Sequence, residues 1–343
     1  MKIVIAPDSY KECLSAPQVA RAMGHAVREA LPGAEVLECP MADGGEGTLE
    51  VLASALGAEV TAVTVHDPLV RPVQAGYGRI GETAIIEVAQ ACGLGLLGRQ
   101  ERNPLTAHTR GVGELLMAAH AQGCRHFIVG LGGTVTCDGG IGMLSVPGIK
   151  EVLCRSTVEL LCDVDTPFVG PHGAVAVFAP QKGARPEDME PLEQRMVAQA
   201  GRMQAETGID VSARNGAGAA GGLAGAFMAY ADATYYSGAE RIMELIGLAA
   251  AMEDAHLIIT GEGKSDAQTL LGKVPYAVLQ QAGETPVALL SGRIEDLPAL
   301  EQAGFRPIIE VSPRNLSLAE ALQTARVTSN LHLAVKALLG TSG

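Results

Sequence analysis

Short apolar runs alternate with amphipathic segments at both ends of the chain. Near the N-terminus, residues 2–6 and 36–39 predict buried strands, while residues 19–31 and 48–56 carry apolar positions at helical spacing. The same alternation returns near the C-terminus. Strands are predicted at residues 257–260, 286–291 and 306–311, and helices between and after them at 276–282, 296–303 and 317–338. Strands that alternate with helices are typical of a doubly wound parallel sheet. We therefore expect both ends of the chain to share one α/β domain.

The middle of the chain has a different pattern. Three segments alternate or run apolar with turn residues between them and predict antiparallel strands, at 59–65, 73–80 and 83–89. A helix is expected at 111–122, strands at 127–130 and 158–162, a second apolar run at 174–179, and helices at 186–207 and within 216–231. This predicts an inserted α/β domain, with residues 1–45 and 240–343 forming the first domain and 46–239 the second.

Composition and charge narrow the class of protein. The 343 residues are 48% hydrophobic and 18% charged, which excludes wholesale disorder. The net charge of −13 argues against binding to nucleic acid or to an anionic membrane. The seven cysteines form no C-x-x-C pair and fit a reducing cytosol better than a disulfide framework. With no signal-peptide pattern and no apolar stretch long enough for a membrane span, we expect a soluble, cytoplasmic protein.

One short motif occurs twice, each time just after a predicted strand. Residues 43–47 and 138–142 both read D-G-G-x-G. A single Asp-Gly is the commonest turn signal, and plain turn chemistry stays open for either copy. Two copies that open helices favour anion-binding loops that carry a metal-binding carboxylate, because open α/β sheets bind ligands at the carboxyl ends of their strands.

Acidic residues recur at the predicted strand ends. They are Asp8, Asp43, Glu46, Asp138, Asp163, Asp165, Glu262 and Asp266. A cluster of oxygen donors without paired Cys or His suits Mg²⁺ and not zinc, although some of these acids are expected to be ordinary helix caps. Three loop lysines, Lys11, Lys182 and Lys273, could reach phosphates, although a solvated surface lysine is the default interpretation of any one of them taken alone.

Several sharper motifs are absent. The segment around Gly272-Lys273 is not a P-loop, because Ala267 stands where the first glycine is needed, and there is no H-E-x-x-H, G-x-S-x-G or S-x-x-K. Residues 216–221 match G-x-G-x-x-G, but the polar residues 212–215 precede them where a dinucleotide site needs a strand. A nicotinamide- or flavin-dependent oxidoreductase is therefore a weak alternative, and close helix packing or a phosphate loop explains these glycines better.

Seven blocks of sequence together resemble the type-1 glycerate kinases. They are KIVIAPDSYKECLSA at 2–16, MADGGEGT at 41–48, GLGGTVTCDGGIGML at 130–144, CDVDTPFVGPHGA at 162–174, FAPQKGA at 178–184, GAGAAGG at 216–222 and ITGEGKSDAQTLLGKVP at 259–275. The resemblance spans most of the chain. It implies a flavodoxin-like domain built from both termini, an inserted α/β domain like the restriction-endonuclease core, and an active site in the cleft between the domains.

The resemblance also implies a reaction: ATP-dependent phosphorylation of D-glycerate at its 2-hydroxyl, assisted by Mg²⁺, with ATP and D-glycerate as the small-molecule partners. The catalytic candidates are Asp8, Lys11, Asp43, Asp138, Asp266 and Lys273, and those for the metal are Asp138, Asp163 and Asp266. Those for the nucleotide are Gly132, Gly133, Thr134, Gly139, Gly140, Lys182, Gly261 and Glu262. The backbone N–H groups of the 132–133 and 139–140 pairs are expected to bind the phosphates.

The chain departs from the family pattern at a few places. Cys137 stands where an Asn is expected before Asp-Gly-Gly, and Cys13 replaces a small polar residue or Gly. Leu144 is followed almost at once by Pro147, where the family usually has a few tens more residues. A second hypothesis is therefore a non-catalytic relative that binds glycerate or nucleotide without turnover.

Overall fold

The computed structural model describes residues 1–340. Its strands are, in chain order, β1 (Lys2–Ile5), β2 (Glu35–Glu38), β3 (Glu59–His66), β4 (Pro72–Ile80), β5 (Thr83–Glu87), β6 (His126–Gly130), β7 (Thr157–Leu161), β8 (Asp232–Tyr236), β9 (Leu257–Thr260), β10 (Lys264–Ser265), β11 (Val287–Ser291), β12 (Arg293–Ile294) and β13 (Ile308–Glu310). The α/β class predicted from the alternating pattern is confirmed.

The helices account for most of the remaining chain. They are α1 (Ala16–Ala30), α2 (Thr48–Leu56), α3 (Ala89–Cys92), α4 (Arg110–Ala121), α5 (Ile141–Leu144), α6 (Ile149–Leu153), α7 (Ala174–Phe178), α8 (Pro186–Thr207), α9 (Leu223–Tyr230), α10 (Gly238–Leu245), α11 (Leu248–Met252), α12 (Val274–Gln281), α13 (Leu297–Ala303), α14 (Leu318–Ala321) and α15 (Thr324–Leu338). Short 3₁₀ helices lie at Leu94–Leu96, Pro180–Lys182, Ala219–Gly222 and Ala267–Leu271. None of the helices in the described residues combines the length and hydropathy needed to cross a bilayer.

The chain forms two compact units, which we call the terminal unit (Met1–Asp43 with Ala239–Gly343) and the central unit (Gly44–Gly238). In the terminal unit, a parallel sheet has the order β13-β11-β9-β1-β2. Counted along the unit this is 2-1-3-4-5, the order of flavodoxin-like sheets. In such a sheet the direction of winding reverses between the first and third strands, which here are β1 and β9.

Helices α1 and α15 pack on this sheet through one apolar cluster. Val19, Met23 and Val27 of α1 share that cluster with Leu331 and Val335 of α15. The capping box at the start of α1 follows the local sequence, because the Ser15 N–H donates to Gln18 Oε1 at 2.9 Å. A short parallel pair, β10 with β12, extends the same unit beside the sheet.

The central unit contains a mixed sheet with the order β3-β4-β5-β6-β7-β8. Strands β3, β4 and β5 are antiparallel, as the alternating segments predicted, and β5 to β8 are parallel. Phe127, Phe168 and Phe227 are fully buried in its core. The helix predicted within 216–231 is present as α9, which follows a 3₁₀ helix, and the apolar run at 174–179 contains α7. The sequence prediction missed β8, because its residues are largely polar.

Candidate active site

The carboxyl ends of β1 and β9 bring two acidic residues together in the terminal unit. The strands pair in parallel with Ile5 opposite Ile259, and the Asp8 N–H continues this contact by donating to the Gly261 carbonyl at 2.9 Å. Asp8 and Glu262 therefore follow neighbouring strands at the reversal point of the sheet. This is the crevice in which open α/β sheets bind their ligands.

A cavity of about 590 Å³ opens at this point. Its polar wall includes six of the residues predicted from the sequence: Asp8, Lys11, Asp43, Glu262, Asp266 and Lys273. Apolar residues also line the cavity, among them Leu316, Leu322 and Val327. The cavity is large enough for a ligand of several polar and apolar groups.

Gly261 is needed where β9 meets β11. A Cβ atom added there would collide with the carbonyl oxygen of Leu290, which also accepts a hydrogen bond from the Tyr10 hydroxyl at 2.8 Å. Gly263, two residues on, is different, because the nearest atom to an added Cβ is the Lys11 nitrogen at 3.4 Å. Gly261 is thus explained by the close approach of two backbones and does not itself line the cavity.

Two hydroxyl groups and one lysine hold the side chain of Glu262. Its Oε1 accepts hydrogen bonds from Ser265 Oγ at 3.0 Å and Thr269 Oγ1 at 2.7 Å, and Lys273 Nζ lies 3.6 Å from its Oε2. The side chain is only 8% exposed, and burial raises its pKa, although the hydrogen bond from Thr269 and the charge of Lys273 oppose this. Glu262 is therefore a positioned carboxylate and not a solvated one.

Asp266 begins the 3₁₀ helix at 267–271. Its Oδ1 accepts a hydrogen bond from the Gln268 N–H at 2.9 Å, and its Oδ2 lies 3.4 Å from Lys264 Nζ. It is thus both the helix cap that its sequence context suggested and part of the cavity wall.

Asp8 is the most strongly perturbed carboxyl group on the cavity wall. It is 6% exposed, and burial raises its pKa to about 7, with the charge of Asp43 as the next contribution. The Ser9 N–H, which donates to Asp8 Oδ1 at 2.6 Å, and the charge of Lys11 act in the opposite direction. A carboxyl group whose pKa lies near neutrality can exchange a proton at physiological pH.

Sequence analysis missed the buried hydroxyls behind these acids. Ser265 Oγ lies 2.6 Å from Ser291 Oγ, and both residues are fully buried. They meet because β10 and β12 pair after the ends of β9 and β11. Two-residue strands have no detectable periodicity, so the only available signal was that Ser291 ends one predicted strand and Ser265 follows another.

In the central unit, the carboxylate of Asp138 is occupied by hydrogen bonds within the chain. Its Oδ2 accepts from the Thr109 N–H at 2.9 Å, Thr109 Oγ1 at 3.0 Å and the Gly142 N–H at 2.9 Å, and its Oδ1 accepts from the Gly140 N–H at 3.1 Å. It is 3% exposed and ties the starts of α4 and α5 together. These contacts support a positioning role more than the predicted metal-binding one.

The backbone N–H groups that were expected to bind phosphate also donate hydrogen bonds within the chain. The N–H groups of Gly132 and Gly139 donate to the carbonyls of Gly44 and Gly221, at 2.9 and 3.0 Å, and that of Gly140 donates to Asp138. The prediction that these three N–H groups point at a bound phosphate therefore finds no support in the hydrogen bonds. The acceptors of the Gly132 and Gly139 N–H groups lie far away in sequence, which is why the pattern alone suggested vacant donors.

Lys182 is buried in the central unit as well. It is 4% exposed, and its Nζ donates to Thr134 Oγ1 at 3.0 Å and to the Thr136 carbonyl at 2.7 Å. Burial lowers its pKa. These contacts fasten the loop after β6, which also contains Gly133, and they favour a structural role over the predicted contact with nucleotide. Asp163 accepts a hydrogen bond from the Gly238 N–H at 2.8 Å, and its assignment to the metal stays a prediction.

The G-x-G-x-x-G run at 216–221 serves close packing. A polar turn, and no strand, directly precedes it, and a Cβ at Gly221 would collide with the Thr136 carbonyl oxygen. Gly221 also has a φ of 64°, in the left-handed region that favours glycine. The dinucleotide-dependent oxidoreductase alternative loses its structural basis.

Comparison with known proteins gives a consistent set of relatives. A profile described as the glycerate kinase family matches residues 3–156 and 145–340. A glycerate kinase of Bacillus subtilis (strain 168) is 37% identical, covering 95% of this chain and 94% of the relative. A glycerate 2-kinase of Escherichia coli (strain K12) is 36% identical over the same shares.

The fold has a counterpart among solved structures. A crystal structure of a Salmonella typhimurium LT2 protein described as glycerate kinase 2 superposes with a TM-score of 0.85 at 36% identity, covering 99% of this chain and 98% of that one. The two segments matched by the family profile overlap at residues 145–156. The overlap coincides with the place where the sequence analysis expects a shortened segment, after Leu144.

Proposed function

Because the chain belongs to the glycerate kinase family, whose members are phosphotransferases with an alcohol acceptor, we propose that it phosphorylates D-glycerate with ATP and Mg²⁺ to give 2-phospho-D-glycerate. The observation that carries the proposal is the cavity of the terminal unit, where Asp8, Asp43, Glu262 and Asp266 share a wall with Lys11 and Lys273. The choice of the 2-hydroxyl is supported by the name of the Escherichia coli relative, glycerate 2-kinase.

The donor set on this wall fits a magnesium-bound phosphate. Among residues 1–340, no three of the cavity's carboxylates bring ligand atoms within 4.8 Å of one another, so they do not form a closed cage. Mg²⁺ is ordinarily bound by one or two carboxylates together with phosphate oxygens and waters. We assign Asp43 and Asp266 to hold it. When bound, it supplies charge neutralisation on the transferring phosphoryl group.

Asp8 is assigned as the group that accepts the proton of the substrate hydroxyl. It lines the cavity, is buried, and has a pKa of about 7, which lies near the pH at which such a group works best. Ser9 holds its Oδ1 by a backbone hydrogen bond, so Oδ2 is the oxygen assigned to accept the proton.

Lys11 and Lys273 are assigned to the anionic groups of the reactants. Both line the cavity, and Lys273 is held 3.6 Å from the buried Glu262, which fixes its ammonium group on the wall. An ammonium group on an exposed wall can pair with the carboxylate of glycerate or with the transferring phosphoryl group. Phosphoryl transfer depends mainly on such positioning and charge stabilisation.

The test is phosphorus NMR of the product formed by the full chain from ATP, MgCl₂ and D-glycerate. We expect a new resonance that coincides with added 2-phosphoglycerate. Coincidence with 3-phosphoglycerate would overturn the regiochemistry. Heat of binding of Mg–ATP without any release of ADP would favour the second candidate, a non-catalytic relative, which the shortened segment after Leu144 and the overlap at 145–156 motivate.

A further inference from the structure

Outside the cavity, two histidines and a glutamate converge on the surface of the terminal unit. His25 and Glu29 lie one turn apart on α1, and His332 lies on α15. His332 Nε2 is 3.0 Å from Glu29 Oε2, and His25 Nδ1 is 3.6 Å from Glu29 Oε1. One ligand atom from each of the three residues lies within 4.8 Å of those of the other two.

These separations match those between ligands of a tetrahedral metal ion. Zinc binds imidazole nitrogen and carboxylate oxygen at about 2.0–2.2 Å, which places neighbouring ligand atoms about 3.3–3.6 Å apart. The observed separation of 3.6 Å lies at the upper edge of this range, and that of 3.0 Å lies just below it. Small side-chain rotations would therefore be enough to complete three ligand positions.

Core packing fixes the backbone of the two helices that carry these side chains. Met23 and Val27 of α1 and Leu331 and Val335 of α15 are buried in one apolar cluster, so the backbone beneath the three residues is fixed. The side chains themselves stay open to solvent, with exposures of 69% for His25, 46% for Glu29 and 28% for His332. An ion could enter directly and keep water as its fourth ligand.

We propose that His25, Glu29 and His332 form a surface site for a divalent transition-metal ion of the zinc class, which links the first helix of the chain to α15. Two neutral imidazoles and one carboxylate suit zinc and its neighbours, whereas Mg²⁺ prefers oxygen ligands only. The site is separate from the catalytic proposal, because none of its three residues lines the cavity.

Lys336 gives the proposal a distinguishing feature. Its Nζ lies 3.4 Å from Glu29 Oε2, so it is a cation already paired with the only acidic ligand. If the cluster were only a network of ion pairs, removing Lys336 would remove one of the pairs to Glu29 and would not strengthen the binding of a cation. At a metal site the lysine competes with the ion for the same carboxylate, and its removal should strengthen binding.

The test uses the full chain, purified with a tag that contains no histidine. Zn²⁺ is titrated into a mixture of the protein and a chromophoric chelator, which compete for the ion. We expect one equivalent to bind, with affinity lower by at least about tenfold in His332→Ala and in His25→Ala, and higher in Lys336→Met. Saturating Zn²⁺ should raise the midpoint of thermal unfolding of the parent but not that of His332→Ala.

Two controls separate this site from other ligands of the chain. His172→Ala removes an exposed histidine of the central unit, and Cys154→Ser removes an exposed thiol; both should bind as the parent does. Co²⁺ bound to the parent should show no thiolate charge-transfer band. Absence of binding, equal binding by His332→Ala, or loss of binding in Cys154→Ser would each overturn the proposal.

Discussion

Asp43 and Asp138 begin the same motif, D-G-G-x-G, and yet they have opposite environments. Asp43 lines the cavity of the terminal unit, where its charge helps to raise the pKa of Asp8. Asp138 is buried in the central unit and accepts four hydrogen bonds from the chain. A local motif therefore specifies a turn, and the completed packing decides whether its carboxylate lines a cavity or is buried among hydrogen-bond donors.

The two regions also differ in what their acids do to stability. At the cavity, buried carboxyl groups with raised pKa values oppose folding once they ionise, which is common for groups held for chemistry. Around Asp138, charge-assisted hydrogen bonds to buried donors favour folding. Substitutions that remove a charge should therefore lower activity without lowering stability at the cavity, and should lower the free energy of unfolding around Asp138.

The largest effect is expected from Asp8→Asn. Loss of the proton acceptor should lower kcat/KM by roughly 10³-fold in a coupled assay of ADP release. Because the pKa of Asp8 is raised in the fold to about 7, the folded state loses stability as the pH rises from about 4 to about 7, and this loss is complete above pH 7. At pH 8 the variant should thus unfold in urea with a free energy higher by about 1 kcal/mol or more.

The matched control for Asp8→Asn is Glu35→Gln, which neutralises an exposed acid at the start of β2. Both activity and stability should then stay near those of the parent. Near-normal turnover by Asp8→Asn would contradict the assignment of the proton acceptor.

The next effect is on stability and comes from Asp138→Asn. The amide presents its NH₂ group to donors that now face a carboxylate oxygen, so we expect a loss of about 3 kcal/mol in the free energy of unfolding. Thr109→Ser keeps the hydroxyl that donates to Asp138 and should cost much less. An unchanged urea midpoint in Asp138→Asn, together with lost activity, would contradict the positioning role and would indicate that Asp138 takes part in the reaction.

The smallest effect is a shift in pH dependence. If Asp8 must be ionised to accept a proton, kcat/KM should fall as the pH drops through about 7, the pKa of Asp8 in the free enzyme. Asp43→Asn also lowers activity as a magnesium-site variant, but it removes the charge that is the second cause of this raised pKa, so the acidic limb of its remaining activity should move to lower pH. A limb that does not move in this variant would show that the two groups are not coupled.

Much of the fold follows from the sequence, and so do the residues of the cavity. Apolar runs at 2–6 and 257–260 predicted parallel strands, and acids just after them, such as Asp8 and Glu262, meet because parallel strands end at the same edge. Lys11 and Lys273 could be chosen because they lie in loops beside these acids. Their roles in catalysis stay predictions.

The rest depends on contacts between distant segments. The acceptor of the Gly139 N–H is the carbonyl of Gly221, and the partner of Ser265 is Ser291, which no local pattern reveals. For the same reason, the glycine amides looked free for a phosphate, and Asp138 looked like a metal ligand. Periodicity identifies elements, whereas the satisfaction of polar groups depends on the completed packing.

The contrast between Gly261 and Gly263 has a practical consequence for redesign. Since even a methyl group at 261 would force β9 and β11 apart, any library that varies this loop should leave that position unchanged. Position 263 tolerates a Cβ at ordinary contact distance and lies on the cavity wall. Larger residues there would reduce the volume of the cavity while the sheet stays intact, which offers one place to select for acceptors of different size.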